Sequence, residues 1–220
     1  MIGLPPFLEK KPWSAEIPAS RAAAAIVVGF LLQPLIAITA GIFLPTVFFL
    51  AAALLMIKDG GALREKLGFR WPDRGALLLL PKALLVLYAA NFVLVGLWQR
   101  LLDDCHVNYS ASQEIFELLG AGSGPGFWLL ILEVVIVVPA VEELVFRRLL
   151  FGLFLPFGAV HAFFLTAMLF SAVHFFLLGA PALLLMGLIF QFVYLATGSL
   201  AMPMLLHGAV NLIAVLPFLF

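Results

Sequence analysis

The sequence has little charge of either sign. Lys, Arg, Asp and Glu make up 11% of its 220 residues, twelve basic against twelve acidic, and the formal net charge is zero. A chain so balanced carries no electrostatic footprint for nucleic acid. Cysteine is nearly absent: Cys105 stands alone, which excludes a disulfide framework and a multi-cysteine zinc site. The H-E-x-x-H pattern, the strong helical zinc signature, does not occur. No apolar leader opens the chain. Pro5, Pro6, Glu9, Lys10, Lys11, Glu16 and Pro18 interrupt its first stretch, so no cleavable signal peptide is expected. Internal repeats and low-complexity segments are missing as well.

What the chain has in abundance is apolar residue. It is 65% hydrophobic, with mean hydropathy +1.18. A soluble domain of this size needs far more polar surface. Apolar runs long enough to span a bilayer recur along the whole length. They predict an all-α polytopic transmembrane bundle of about seven spans, forming one integral membrane domain over residues 1–220. The spans are expected near Ser20–Ile38, Gly41–Ile57, Ala76–Trp98, Phe127–Leu150, Val160–Leu178, Pro181–Ala196 and Ser199–Phe218. Helices are the only option for such runs, because backbone groups in lipid must pair internally and no barrel-like alternation is present.

The few charges segregate. Lys10, Lys11 and Arg21 precede the first span, and Lys58, Arg64, Lys66, Arg70 and Arg74 separate spans two and three. Arg147 and Arg148 close span four. These basic clusters share one side, which the positive-inside rule makes cytoplasmic, together with the N-terminus. The loop with Asp103, Asp104, Glu114 and Glu117 then faces outward. The expected location is a prokaryotic cell membrane, crossed many times, with the lipid bilayer as the constant partner. Within the acidic loop, Ile115, Leu118 and Leu119 share one side of a short helix over Ser112 to Leu119. It lies on the membrane surface or, the plainer reading, packs on the bundle.

Polar residues inside the later spans carry the chemistry, which falls within 127–218. Span four holds V-P-A-V-E-E-L-V-F-R-R. Carboxylates at membrane depth are costly, about 2.5–3.5 kcal/mol each on insertion scales. Glu143 and Arg147 are four apart and share a helical face, so they form a neutral pair. Glu142 lies about 100° around the helix and has no local partner. A carboxylate held away from bulk water gains proton affinity, which suits a general base. Taken alone, the pair reads as architecture. Span five adds His174 in F-S-A-V-H; span seven adds His207 and Asn211 in H-G-A-V-N, four apart on one face. Each histidine alone reads as a hydrogen bonder between helices. Together, three helices offer the acid, base and donor set of hydrolysis. Glu142, His174 and His207 are expected roughly 10–20 Å from the cytoplasmic edge. Pro139, one turn before Glu142, frees a carbonyl and makes room for water; Pro203 does the same or simply sits in a first turn. Glu133 and Lys82 are expected at the interface.

In these residues the chain resembles the CAAX-protease and bacteriocin-processing family, also called the ABI family, of intramembrane endopeptidases. The motifs are E-E-x-x-x-R (Glu142, Glu143, Arg147), F-x-x-x-H (Phe170, His174) and H-x-x-x-N (His207, Asn211). A further likeness is L-G-F-R-W-P, Leu67 to Pro72; Arg148 departs by standing where the family commonly has glycine. The resemblance implies the helical bundle of the type II CAAX prenyl endopeptidase. It implies that Glu142 activates water, with His174 as its orienter, and that Arg147 fixes Glu143. His207 and Asn211 then donate to the developing oxyanion, and Phe170 is packing. The family is classed both as glutamate-dependent protease and as metalloendopeptidase. Metal-free catalysis without a cofactor is the expectation; zinc held by Glu142, His174 and His207 is the alternative. The expected partner is a peptide or protein substrate such as a leader peptide, a pheromone precursor or a membrane-protein tail. A non-enzymatic immunity or scaffold protein and a proton-coupled transporter are the competing readings. The sequence leaves the substrate's identity and the oligomeric state open.

Overall fold

The computed structural model describes residues 13, 16–28 and 63–220. The second predicted span, most of the first, and Lys10, Lys11 and Lys58 lie outside the described residues. Within them every regular element is helical. Helix α1 is Ala19–Val28 and α2 is Leu63–Leu67. Helix α3 runs Arg74–Asp104, with a hitch at Leu78. Asp73 opens it by accepting a hydrogen bond from Ala76 N at 2.7 Å. Helix α4 is Glu114–Ala121. Helix α5, residues 124–154, changes spacing without breaking. An α segment Gly124–Leu132 leads into a π segment Glu133–Val137, then α Val138–Glu143, π Leu144–Leu150 and α Phe151–Phe154. Helices α6, α7 and α8 are Ala159–Ala172, Ala180–Thr197 and Ala201–Val215.

Among the described residues three helical stretches are long and apolar enough to cross a bilayer: Arg74–Asp104, Ala180–Thr197 and Ala201–Phe218. Helix α3 is the most peripheral; Leu85, Phe92, Val93 and Leu97 are exposed on it, as a lipid-facing surface requires. Small residues bring α6 and α7 together. A Cβ added at Gly187 would lie 2.9 Å from Ala167 Cα, so the two backbones touch there. That contact seats Phe190 against Phe170, with ring centroids 6.2 Å apart.

The predicted fifth span is shorter than expected. Helix α6 stops at Ala172, and the chain turns through residues 173–179 with Phe175 in the left-handed region at φ 48°. Ser171 Oγ closes this turn by donating to Ala180 O at 2.8 Å, and Trp98 of α3 caps it from outside by donating to Leu177 O at 2.8 Å. Helix α4 packs on the bundle: Leu119 is buried and Phe116 stacks on Phe218, while Leu118 stays exposed. Pro203 sits in the first turn of α8, where its missing N–H costs nothing. Glu133 is buried in the first π segment, contrary to its expected interfacial place. Lys82 is exposed on α3, beside a shallow apolar pocket shared with α7.

The end of α5 that bears Arg148 is bound to the α2–α3 connection. Arg148 Nε donates to Lys66 O, and its guanidinium lies over the Trp13 ring, 3.9 Å from the centroid. Ser199 Oγ donates to Arg70 O, Leu200 N to Gly68 O at 3.0 Å, and Tyr194 Oη to Leu67 O at 3.4 Å. The stretch Leu67 to Pro72 is thus tied to α7 and to the turn before α8.

Candidate active site

Glu143 and Arg147 are both wholly enclosed. One helical turn apart on α5, they meet through Arg147 Nε to Glu143 Oε2 at 2.6 Å, supported by Nη2 to Oε1 at 3.4 Å. Glu143 Oε1 also takes a bond from across the bundle, with His207 Nδ1 at 2.9 Å. The carboxylate therefore has a cation on one oxygen and an imidazole on the other, as a buried charge requires.

Aromatic rings wall in the guanidinium. Arg147 Cζ lies 4.8 Å from the Phe170 centroid, 5.7 Å from Phe190 and 5.9 Å from Phe146. Their faces give the cation an attractive and water-free surround. The same rings reach both histidines. Phe170 is 4.9 Å from the His174 ring and 5.9 Å from His207, and Phe190 is 5.0 Å from His207. Phe170 is packing, as the sequence suggested, but packing at the centre of the cluster. Phe190 and Phe146 were not singled out, because a phenylalanine inside an apolar run carries no signal of its own.

Glu142 is placed differently. Its side chain keeps 25% of its surface exposed, and His207 Nε2 faces its Oε2 at 3.9 Å, too long for a hydrogen bond. That oxygen is itself enclosed and has no hydrogen-bond partner among the described residues. The imidazole of His207 thus stands between two carboxylates, bonded to one and merely near the other.

His174 does not lie inside a helix. It follows the last turn of α6, half-buried, with Nδ1 at 2.7 Å from Phe170 O. A carbonyl only accepts, so Nδ1 carries the hydrogen. His174 is linked to the rest through the shared Phe170 ring; no direct bond to Glu142 is formed among the described residues. Asn211 is half-buried, and its Nδ2 donates to Val134 O on α5 at 2.8 Å. The structure thus gathers Glu142, Glu143, Arg147 and His207, places His174 alongside, and attaches Asn211 one turn away from His207.

Zinc ligation by Glu142, His174 and His207 needs three donors around one point. Among the described residues no three His, Cys, Asp or Glu side chains are so grouped. His207 Nδ1 is bonded to Glu143, which leaves Nε2 as the nitrogen facing Glu142. The arrangement does not fit a three-ligand metal centre.

Residues 124–213 match the family model described as type II CAAX prenyl endopeptidase Rce1-like. That stretch runs from the start of α5 into α8 and holds Glu142, Glu143, Arg147, Phe170, His174, His207 and Asn211. Over it the chain is similar to that family, in agreement with the resemblance read from the motifs. The similarity points to a CAAX-type intramembrane protease in general terms. No curated protein and no solved structure matches the chain.

Proposed function

We propose that this protein is an intramembrane endopeptidase in which Glu142 activates the attacking water. The observation that carries the reading is the unequal treatment of two adjacent carboxylates. Glu143 is saturated by Arg147 and His207, whereas Glu142 is part-exposed with a carboxylate oxygen left unbonded. A base must be free to take a proton, and only Glu142 is.

Water bound at Glu142 loses a proton to the carboxylate as its oxygen attacks the peptide carbonyl carbon. His174, through Nε2, orients that water. The tetrahedral oxyanion is met by His207 Nε2–H and by the amide hydrogen of Asn211 that Val134 O leaves free. Glu142 then passes its proton to the leaving nitrogen, the C–N bond breaks, and a carboxyl and an amine depart. With Glu143 ionised against Arg147, the hydrogen between His207 and Glu143 belongs to the imidazole. Glu143 and Arg147 act through His207 and touch no substrate. The reaction needs no metal.

The test is cleavage of a fluorogenic peptide library by the full-length protein in proteoliposomes. Glu142→Gln is expected to lower kcat by about 10²–10⁴ while the protein stays folded. A folded Glu142→Gln protein with wild-type kcat removes Glu142 as the base. Stoichiometric zinc whose chelation stops cleavage replaces the metal-free mechanism. No cleavage of any peptide by the wild type favours the immunity or scaffold reading.

A further inference from the structure

Just before its two glutamates α5 lacks one backbone donor. In the π segment Glu133–Val137 the spacing is five residues, and Val138 N–H donates to Glu133 O. The next residue is Pro139, whose nitrogen carries no hydrogen. In continued five-residue spacing position 139 would have served Val134 O; in ordinary α spacing it would have served Val135 O. Buried carbonyls without donors are destabilising, so each needs a neighbour or room.

Helix α8 meets both. Asn211 Nδ2 donates to Val134 O at 2.8 Å. One turn earlier Gly208 presses against the next carbonyl: a Cβ there would lie 2.7 Å from Val135 O, closer than real side chains approach. The obstacle is backbone, so it cannot swing aside. Gly208 follows His207, whose Nδ1 is 2.9 Å from Glu143 and whose Nε2 is 3.9 Å from Glu142. Pro139 precedes both glutamates by about one turn. The proline therefore does less to admit water than to expose acceptors for another helix.

We propose that Pro139, Gly208 and Asn211 form a helix–helix lock that sets the distance between His207 and the two glutamates. Pro139 and Gly208 are then positioning residues for the hydrolysis, a role that rests on the protease reading above. Asn211 has two duties: one amide hydrogen anchors α8 to Val134 O, and that bond fixes the plane in which the other is presented.

A double-mutant cycle tests the anchor without any substrate. Thermal midpoints are measured in detergent for the full-length wild type, Asn211→Ala, Pro139→Ala and the double variant. Beside Pro139, Asn211→Ala strands a carbonyl and lowers the midpoint by roughly 2–8 °C. In the Pro139→Ala background the restored N–H takes the carbonyl, and the drop is less than half as large. Equal drops in the two backgrounds, or none in either, overturn the lock. The activity arm uses Gly208→Ala and Pro139→Ala, assayed well below their midpoints. Each is expected to lower kcat about 10–100-fold with KM within about twofold, as a displacement near 1 Å at a reacting centre does. Unchanged kcat in the folded variants, or a change in KM alone, overturns the positioning role. Pro139→Ala carries this arm if Gly208→Ala does not fold. A wild type that cleaves nothing defeats the protease reading, while the thermal cycle still decides the lock.

Discussion

Glu143 lies wholly enclosed between Arg147 and His207, whereas Glu142, its neighbour in sequence, keeps a quarter of its side chain exposed and one oxygen unbonded. The arginines after them divide in the same way. Arg147 points into the aromatic wall of Phe146, Phe170 and Phe190; Arg148 points out of the cluster, onto Trp13 and Lys66 O. One helix thus presents an inner face that holds charge still and an outer face that holds the chain's periphery. Adjacent identical residues acquire different work because a helix turns each by about 100° from the last.

Removing the inner cation gives the largest expected effect on stability. Arg147→Ala leaves Glu143 a buried charge with its strongest partner gone, which costs about 3–5 kcal/mol. Changing both residues, Glu143→Gln with Arg147→Gln, removes both charges and should recover much of that loss. Denaturation midpoints in detergent check this, and equal midpoints for Arg147→Ala and wild type would show the pair to be solvated. Next in size is the aromatic wall. Phe170→Leu withdraws a ring from Arg147, His174 and His207 at once and should cost about 1–2 kcal/mol. Its kcat should fall further than the fraction unfolded explains. A kcat that merely tracks the folded fraction would reduce Phe170 to ordinary packing.

The smallest effect belongs to the outer face. Arg148→Lys keeps the charge but loses the flat guanidinium over Trp13 and the Nε–H that serves Lys66 O. The expected loss is about 1 kcal/mol, with kcat and KM unchanged below the midpoint. A fall in kcat as large as that of Phe170→Leu would erase the distinction between the two faces.

Much of the site was legible because charge in an apolar run is conspicuous. Glu142, Glu143, Arg147, His174, His207 and Asn211 stand out against their surroundings, and the spacing of four pairs Glu143 with Arg147. The limits of α6 were not legible. Residues 173–179 are as apolar as a membrane helix, so hydropathy carried the predicted span on to Leu178. The chain turns instead, because Ser171 Oγ and Trp98 satisfy the turn's carbonyls and a phenylalanine accepts the left-handed region. Glu133 was misplaced for the opposite reason: proximity to a span end suggests an interface, but packing against the bundle buries it.

The sequence by itself determined that this chain lives in a membrane as helices, since apolar runs of that length have no other stable state in water or lipid. It also determined that its few buried charges had to find each other. Only the tertiary structure decided which ones did. Partner choice depends on the azimuth and separation of helices, and these follow from close contacts such as Gly187 on Ala167 and Gly208 on Val135 O. Hence His207 bonds Glu143 and leaves Glu142 open, and Asn211 reaches Val134 O on the neighbouring helix.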